Sequence, residues 1–472
     1  MKKTKIIATL GPASSSKEMI KQLHEAGVDI VRLNMSHGDH DFARSIIENV
    51  RAVSKNIAIL LDTKGPEIRT KDVLEPVTFN EGALVTLTYG SQYCTQDTIY
   101  ITYQNLPNEV QVGTTIILDD GAIELRVEEV RPDSLLCSVI EGGILKGKKT
   151  LNVPNVNIKL PSVSQEDFDD ISFAIEQEVD FIAASFIRSQ EDVLAIRKLL
   201  EEKQSKIQII SKIESRQGVE NLTEIIEVSD GIMVARGDLG VEMRAEEVPI
   251  IQKKIVEACN LHAKPVIVAT QMLESMITAP RPTRAETSDV ANAILDGTDA
   301  IMLSAESAVG KYPLKAVQTM VRIAEYIEQE REEYQNKLFH RSSSRITDAI
   351  CRSSFYMARD LHADFIVAPT MSGYTARNLA KFRPPVHILA TTPDERCARQ
   401  LNLLYGVVPI VSEHKGDRRS FIDNSVGELV DRGYLKPEHL IIITAGMHVG
   451  KSGSTNLLEV HKVGELLQTN KD

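Results

Sequence analysis

Residues 229–242 read SDGIMVARGDLGVE, and the change of character within this stretch decides the fold. Residues 232–235 form a short apolar run, the mark of a strand buried on both faces in a parallel sheet. Arg236-Gly237-Asp238 then breaks the run, so a carboxylate is expected on a flexible turn where a strand ends. Gly237 and Gly240 leave backbone N–H groups open to a carboxylate or phosphate held beside a metal-bound Asp238. An Asp between glycines after a strand is, taken alone, most often a plain turn. Support comes from residues 208–214 (QIISKIE), where Lys212 and Glu214 lie two apart and project from one face. If neighbouring strands bring Glu214 beside Asp238, two carboxylates and an ammonium share a pocket suited to a divalent hard cation and an anionic substrate. A buried ion pair is the alternative for the same spacing.

Outward from this stretch, strand-like and helix-like segments alternate. Strands are expected at 4–9, 29–33, 57–61, 180–185, 208–214, 232–235, 265–270 and 300–304, with helical segments at 17–26, 41–54, 165–177, from 190, at 218–228, within 271–295 and at 312–335. Most of these strands end in polar residues, whereas an open doubly wound sheet, the runner-up, concentrates its ligand groups at one switch point. The expectation is therefore a closed (β/α)8 TIM barrel. From Thr70 to about Leu160 the pattern changes to short Val/Thr/Ile/Leu runs punctuated by Gly, Asn, Asp and Pro, which reads as an all-β domain inserted after strand three. Residues 340–345 (HRSSSR) look like a linker, and β/α alternation beyond them reads as a C-terminal α/β domain. The expected division is 1–69 and 166–344 for the barrel, 70–165 for the insertion and 345–472 for the last domain. In that domain Thr370-Met371-Ser372-Gly373-Tyr374-Thr375 is equally an anion site at a helix start and a simple N-cap.

The 472 residues carry 42% hydrophobic and 25% charged side chains, ordinary for a globular protein. A net charge of −12 argues against nonspecific nucleic-acid or membrane binding, so an anionic ligand must be held by local cations or metal. Five cysteines without a CxxC pair fit a reducing compartment, and MKKTKIIATLGP lacks the apolar core of a signal peptide, which makes the cytoplasm the expected location.

Taken together, KIIATLGP, RLNMSHG (32–38), LLDTKGPEIR (60–69), SKIE (211–214), MVARGDLGVE (233–242), ATQMLESM (269–276), RPTRAE (281–286) and GTDAIMLSAESAVGKYP (297–313) resemble the pyruvate kinase family along the whole chain and in family order. The resemblance implies a barrel, a β lid, an effector domain and a homotetramer transferring phosphoryl from phosphoenolpyruvate to ADP, giving pyruvate and ATP. It implies that Glu214 and Asp238 hold Mg2+ (or Mn2+), that Lys212 and Arg32 face the transferring phosphoryl group, and that Gly237, Asp238 and Thr270 hold the substrate carboxylate. Asn34, Ser36, Asp62 and Thr63 match a K+ cage; Pro12, Asn34, His37, Arg69 and Lys148 match nucleotide contacts. Thr270, Ser304 and Glu306 match a proton-delivery region. The segment Ser304-Ala305-Glu306 departs from the family, in which many members carry glycine before the glutamate. Thr370, Ser372, Gly373 and Thr375 match the cradle for a phosphorylated sugar or nucleotide effector, with residues 446–455 as its covering loop. Glu67 stands where the resemblance ties glutamate to potassium dependence and lysine to independence of it.

Overall fold

The protein is described from a computed structural model covering residues 2–36, 38–330, 345–412, 418–446 and 455–469. Eight parallel strands close into a barrel in chain order: Lys5–Thr9, Ile30–Asn34, Ala58–Asp62, Phe181–Ala184, Gln208–Ile213, Gly231–Ala235, Val266–Ala269 and Ala300–Leu303. Pairing of Lys5 with Ala300 and of Ala8 with Leu303 joins first strand to last, so the open sheet is excluded.

The pleat explains both the core and the place of the site. Ile7, Ile30, Leu60, Phe181, Ile210, Met233, Ile267 and Met302 fill the barrel interior, while their neighbours Ile6, Val31, Ile59, Ile182, Ile209 and Val234 pack outward against the helices. Both faces of each strand are buried, which is why the strands read as continuous apolar runs. Two residues further along the inward face come Thr9, Arg32, Asp62 and Lys212, so the interior passes from hydrocarbon to charge within one pleat.

Between the third and fourth barrel strands lies a seven-stranded sheet running from Ile68–Arg69 to Thr150–Asn152, with Val77–Phe79 and Gly143–Leu145 paired beside it. Its sheet begins two residues before the expected boundary at Thr70, because Arg69 pairs with Thr150. It is not purely β: Leu106–Glu109 forms one helical turn, started by Pro107. The C-terminal unit is a five-stranded sheet in which only Leu457–Lys462 is antiparallel to its neighbour. The helix Val463–Thr469 that follows was not expected.

Three local expectations need correction. The region 236–242 is a short helix, Arg236–Glu242, rather than a flexible turn. Residues 218–228 divide into Arg216–Glu220 and Leu222–Val228 at Asn221. The helical part of 271–295 is confined to a 3-10 turn, Glu274–Ile277, and to Arg284–Asp296, because Thr283 and Glu286 close a capping box that restarts the helix after Pro282. The linker read at 340–345 lies, but for Arg345, outside the described residues.

Candidate active site

The inward polar layer forms one hydrogen-bonded cluster. Arg32 donates through Nε to Asp62 Oδ2 at 2.7 Å and through Nη1 to Thr9 Oγ1 at 3.0 Å. Lys212 Nζ lies 3.1 Å from Asp62 Oδ1, 2.7 Å from Ser185 Oγ and 2.9 Å from Glu214 Oε1. Ser185 also donates to the Thr63 carbonyl at 2.6 Å. Asp62, expected as a potassium ligand, thus also braces the two cations of the barrel mouth. Burial works against its charge, but Arg32 and Lys212 together hold the carboxyl below its ordinary range. Burial likewise works to lower the Lys212 pKa, and Asp62, Glu214 and Asp238 outweigh it, so the ammonium stays charged.

Glu214 and Asp238 behave differently. Burial raises both carboxyl pKa values, Glu214 to about 7; Lys212 favours ionisation of both, the Asp238 charge opposes that of Glu214, and the hydrogen bond from Glu214 works to lower Asp238. The two carboxyls hydrogen-bond each other, and Glu214 Oε2 also accepts from the Phe186 N–H. Among the described residues no group of three or more His, Cys, Asp or Glu side chains converges on a metal-sized site. The hydrogen-bonded Glu214 and Asp238 carboxyls nevertheless fit Mg2+, which takes one or two protein carboxylates and completes its shell with substrate and water oxygens.

Thr270 follows the seventh strand with φ +65°, and Gln271 follows it with φ +54°. Two consecutive side-chain-bearing residues in the left-handed region make a strained turn, and Thr270 is β-branched as well. Its Oγ1 accepts the Gly237 N–H at 2.9 Å and donates to the Ala269 carbonyl at 2.7 Å. The N–H expected to hold a substrate carboxylate is therefore hydrogen-bonded to the hydroxyl expected to assist it. Glu306 accepts from the backbone of Leu273 at 3.1 Å and of Ser304 at 2.7 Å. Ser304 Oγ is buried without a hydrogen-bond partner among the described residues.

The inserted unit leans onto this mouth. Asn152 donates to Glu242 at 3.1 Å, and Asp120, at φ +54° in a tight turn, opposes the charge of Asp238. Between the two units lies a cavity of about 720 Å3, reaching from Asp238 past Arg216 to Asn152 and Asn155. Arg69 is held by Glu67 at 2.6 Å and by the Lys148 carbonyl at 3.1 Å, which brings these two expected nucleotide residues together, with the Lys148 side chain itself largely exposed.

Asn34 and Asp62 are direct cross-strand partners, and Asn34 Oδ1 accepts the Ser36 N–H at 3.2 Å. Thr63, next to Asp62 in the chain, instead directs its Oγ1 at the Ala183 carbonyl. Pro12 is exposed on the turn after the first strand, whereas His37 lies outside the described residues. Far from this mouth, Thr370 is buried with its N–H on Thr391, Gly373 starts the helix Tyr374–Ala380 at φ +75°, and Thr375 shares a hydrogen bond of 2.9 Å with Thr455. Ser372 belongs to the same turn. Residues 447–454 of the expected covering loop lie outside the described residues. Ser185 and Asp120 were not singled out from the sequence. Ser185 was findable, since it continues the inward alternation of Phe181 and Ala183; Asp120 was not, because only the docking of the inserted sheet brings it near Asp238.

A closed β/α barrel whose mouth sets a buried arginine and lysine against a hydrogen-bonded pair of carboxyls, beside an inserted β-sheet unit, has the architecture of the barrel enzymes. The comparisons agree on which. Residues 1–317 match the family described as pyruvate kinase, barrel domain, and residues 348–461 match pyruvate kinase, alpha/beta domain. Curated pyruvate kinases of Staphylococcus epidermidis and Staphylococcus aureus are each 46% identical over 475 residues, spanning 98% of this chain and 81% of the relative. The chain belongs to the pyruvate kinase family and is a phosphotransferase.

Proposed function

We propose that the barrel mouth transfers the phosphoryl group of phosphoenolpyruvate to ADP, and that the meeting of Lys212, Arg32 and the Glu214–Asp238 pair carries this reading. Transfer spreads negative charge over a group passing between two anions, so the site needs fixed positive charge more than a nucleophile. Lys212 and Arg32 supply it, and their anchors on Asp62 and Ser185 keep them from reorganising during the reaction. Glu214 and Asp238 hold Mg2+ (or Mn2+), which when bound neutralises substrate oxygens as a Lewis acid. Gly237, Asp238 and Thr270 receive the carboxylate. Pro12, Asn34, His37, Arg69 and Lys148 serve the nucleotide, and the inserted sheet closes as a lid that excludes water. Ser304 and Glu306 border the path by which the enolate is protonated to pyruvate. No helix among the described residues is long and apolar enough to cross a membrane.

We assign Asn34, Ser36, Asp62 and Thr63 to potassium. Glu67 is already occupied by Arg69, so neither side chain offers a free cation to the phosphate pocket. In buffers where a bulky organic cation replaces potassium, turnover falls at least about tenfold, the equivalent of about 1.4 kcal/mol of transition-state stabilisation. Glu67→Lys restores part of it. Full activity without potassium would show that the charge comes from elsewhere.

For the C-terminal unit we infer a phosphate cradle at Thr370, Ser372, Gly373 and Thr375, supported by the glycine that opens the helix and by its flanking hydroxyls. Titration with fructose bisphosphate, AMP, ribose phosphate and glucose phosphate is expected to find one that lowers the half-saturating phosphoenolpyruvate concentration. A flat response to all of them refutes regulation at this turn. A homotetramer is part of the same reading: Tyr326, Ile346 and Met357 leave apolar surface exposed on two helices, Leu361 adds to it just past the second, and assembly would cover it.

A further inference from the structure

Arg236 belongs to the same short helix as Asp238, yet it faces away from the coupled carboxyls and toward the strained turn after the seventh strand. Its Nη2 donates to the Thr270 carbonyl at 2.6 Å and approaches Met272 Sδ at 2.8 Å, and its Nε donates to the Ala269 carbonyl at 3.3 Å. Nη1 lies 2.7 Å from both carboxylate oxygens of Asp289, on the helix Arg284–Asp296. One planar guanidinium thus ties the end of a strand, a left-handed backbone and an outer helix, a fork that lysine cannot reproduce. On the far side of the turn, Glu306 receives the Leu273 N–H. Left-handed conformations at a β-branched threonine and the glutamine after it persist only where the surroundings over-determine them.

We propose that Arg236, anchored by Asp289 and opposed by Glu306, is a positioning residue that holds the Thr270 and Gln271 backbone so that the Thr270 hydroxyl stands against the Gly237 N–H, ready for the substrate carboxylate. The inference rests on the reading of Thr270 as a carboxylate contact. Arg236 itself touches no reacting atom in it; it acts through the turn.

A double-mutant cycle between Arg236→Lys and Thr270→Ala tests this. Each single change is expected to raise the KM for phosphoenolpyruvate about tenfold or more while leaving the KM for ADP near the parental value. In the Thr270→Ala background, Arg236→Lys should add little more, because the contact it positions is already gone. Equal, additive increases in both backgrounds overturn the proposal and leave the Thr270 reading intact. An unchanged phosphoenolpyruvate KM in Thr270→Ala overturns that reading and the proposal with it. Should Arg236→Lys fold poorly, Asp289→Asn keeps the guanidinium but weakens its anchor and should move the phosphoenolpyruvate KM the same way by a smaller factor. A fall in active fraction with both KM values unchanged would reduce Arg236 to a structural role.

Discussion

Lys212→Met is expected to bind phosphoenolpyruvate with near-parental affinity while turnover falls at least about a hundredfold, the usual scale for removing one preorganised electrostatic donor. Lys212 is buried at the end of an apolar strand and bonded to Asp62, Ser185 and Glu214, so neither water nor another side chain can take its place cheaply. The change has a second consequence with a definite sign. Lys212 favours the ionised form of both Glu214 and Asp238; without it their carboxyl pKa values rise further, protons compete more strongly with the metal, and the metal requirement increases. Assays at saturating magnesium separate this from the loss of charge at the transferring group. Turnover within a few-fold of the parent under those conditions would remove Lys212 from the chemistry.

Arg383→Met is expected to be the most destabilising single change away from the active site. Arg383 is 1% exposed and enters the barrel's underside from the C-terminal unit, where Nη1 and Nη2 each meet one Asp299 oxygen at 2.7 Å and Nη2 also donates to the Gly297 carbonyl at 2.7 Å. Asp299 is 2% exposed and further accepts the backbone N–H groups of Tyr405 and Val266. Methionine fills much of the volume but strands a buried carboxylate, a loss of about 3–5 kcal/mol for a broken pair of this kind. Denaturant unfolding should show an earlier transition for Arg383→Met and a partial return when Asp299→Asn is added, since removing the orphaned charge removes most of the penalty. An unchanged transition for the single variant would mean that solvent reaches this junction.

The barrel, the inserted sheet and the C-terminal α/β unit were legible because each depends on local signals. Runs such as 232–235 are apolar at every position because both strand faces are buried, and polar residues begin where each strand reaches the barrel mouth. The paired carboxyls were legible for the same reason: Lys212 and Glu214 lie on one face of a strand, and Asp238 follows the end of the next strand. What only the tertiary structure decided lies where the contacts are remote in sequence. Lys212 meets Asp62 across 150 residues, and Asp62 becomes a brace for two cations only because closure of the barrel brings strands two, three and five around one opening. Ser185 and Asp120 acquire meaning from the same closure and from the docking of the lid. The helix at Arg236–Glu242 replaced the expected turn because Arg236 finds its partners on Ala269, Thr270 and Asp289, 33 to 53 residues away. Periodicity along a chain reports which face a residue occupies; which groups then share that face is set by register and closure, and no local pattern encodes them.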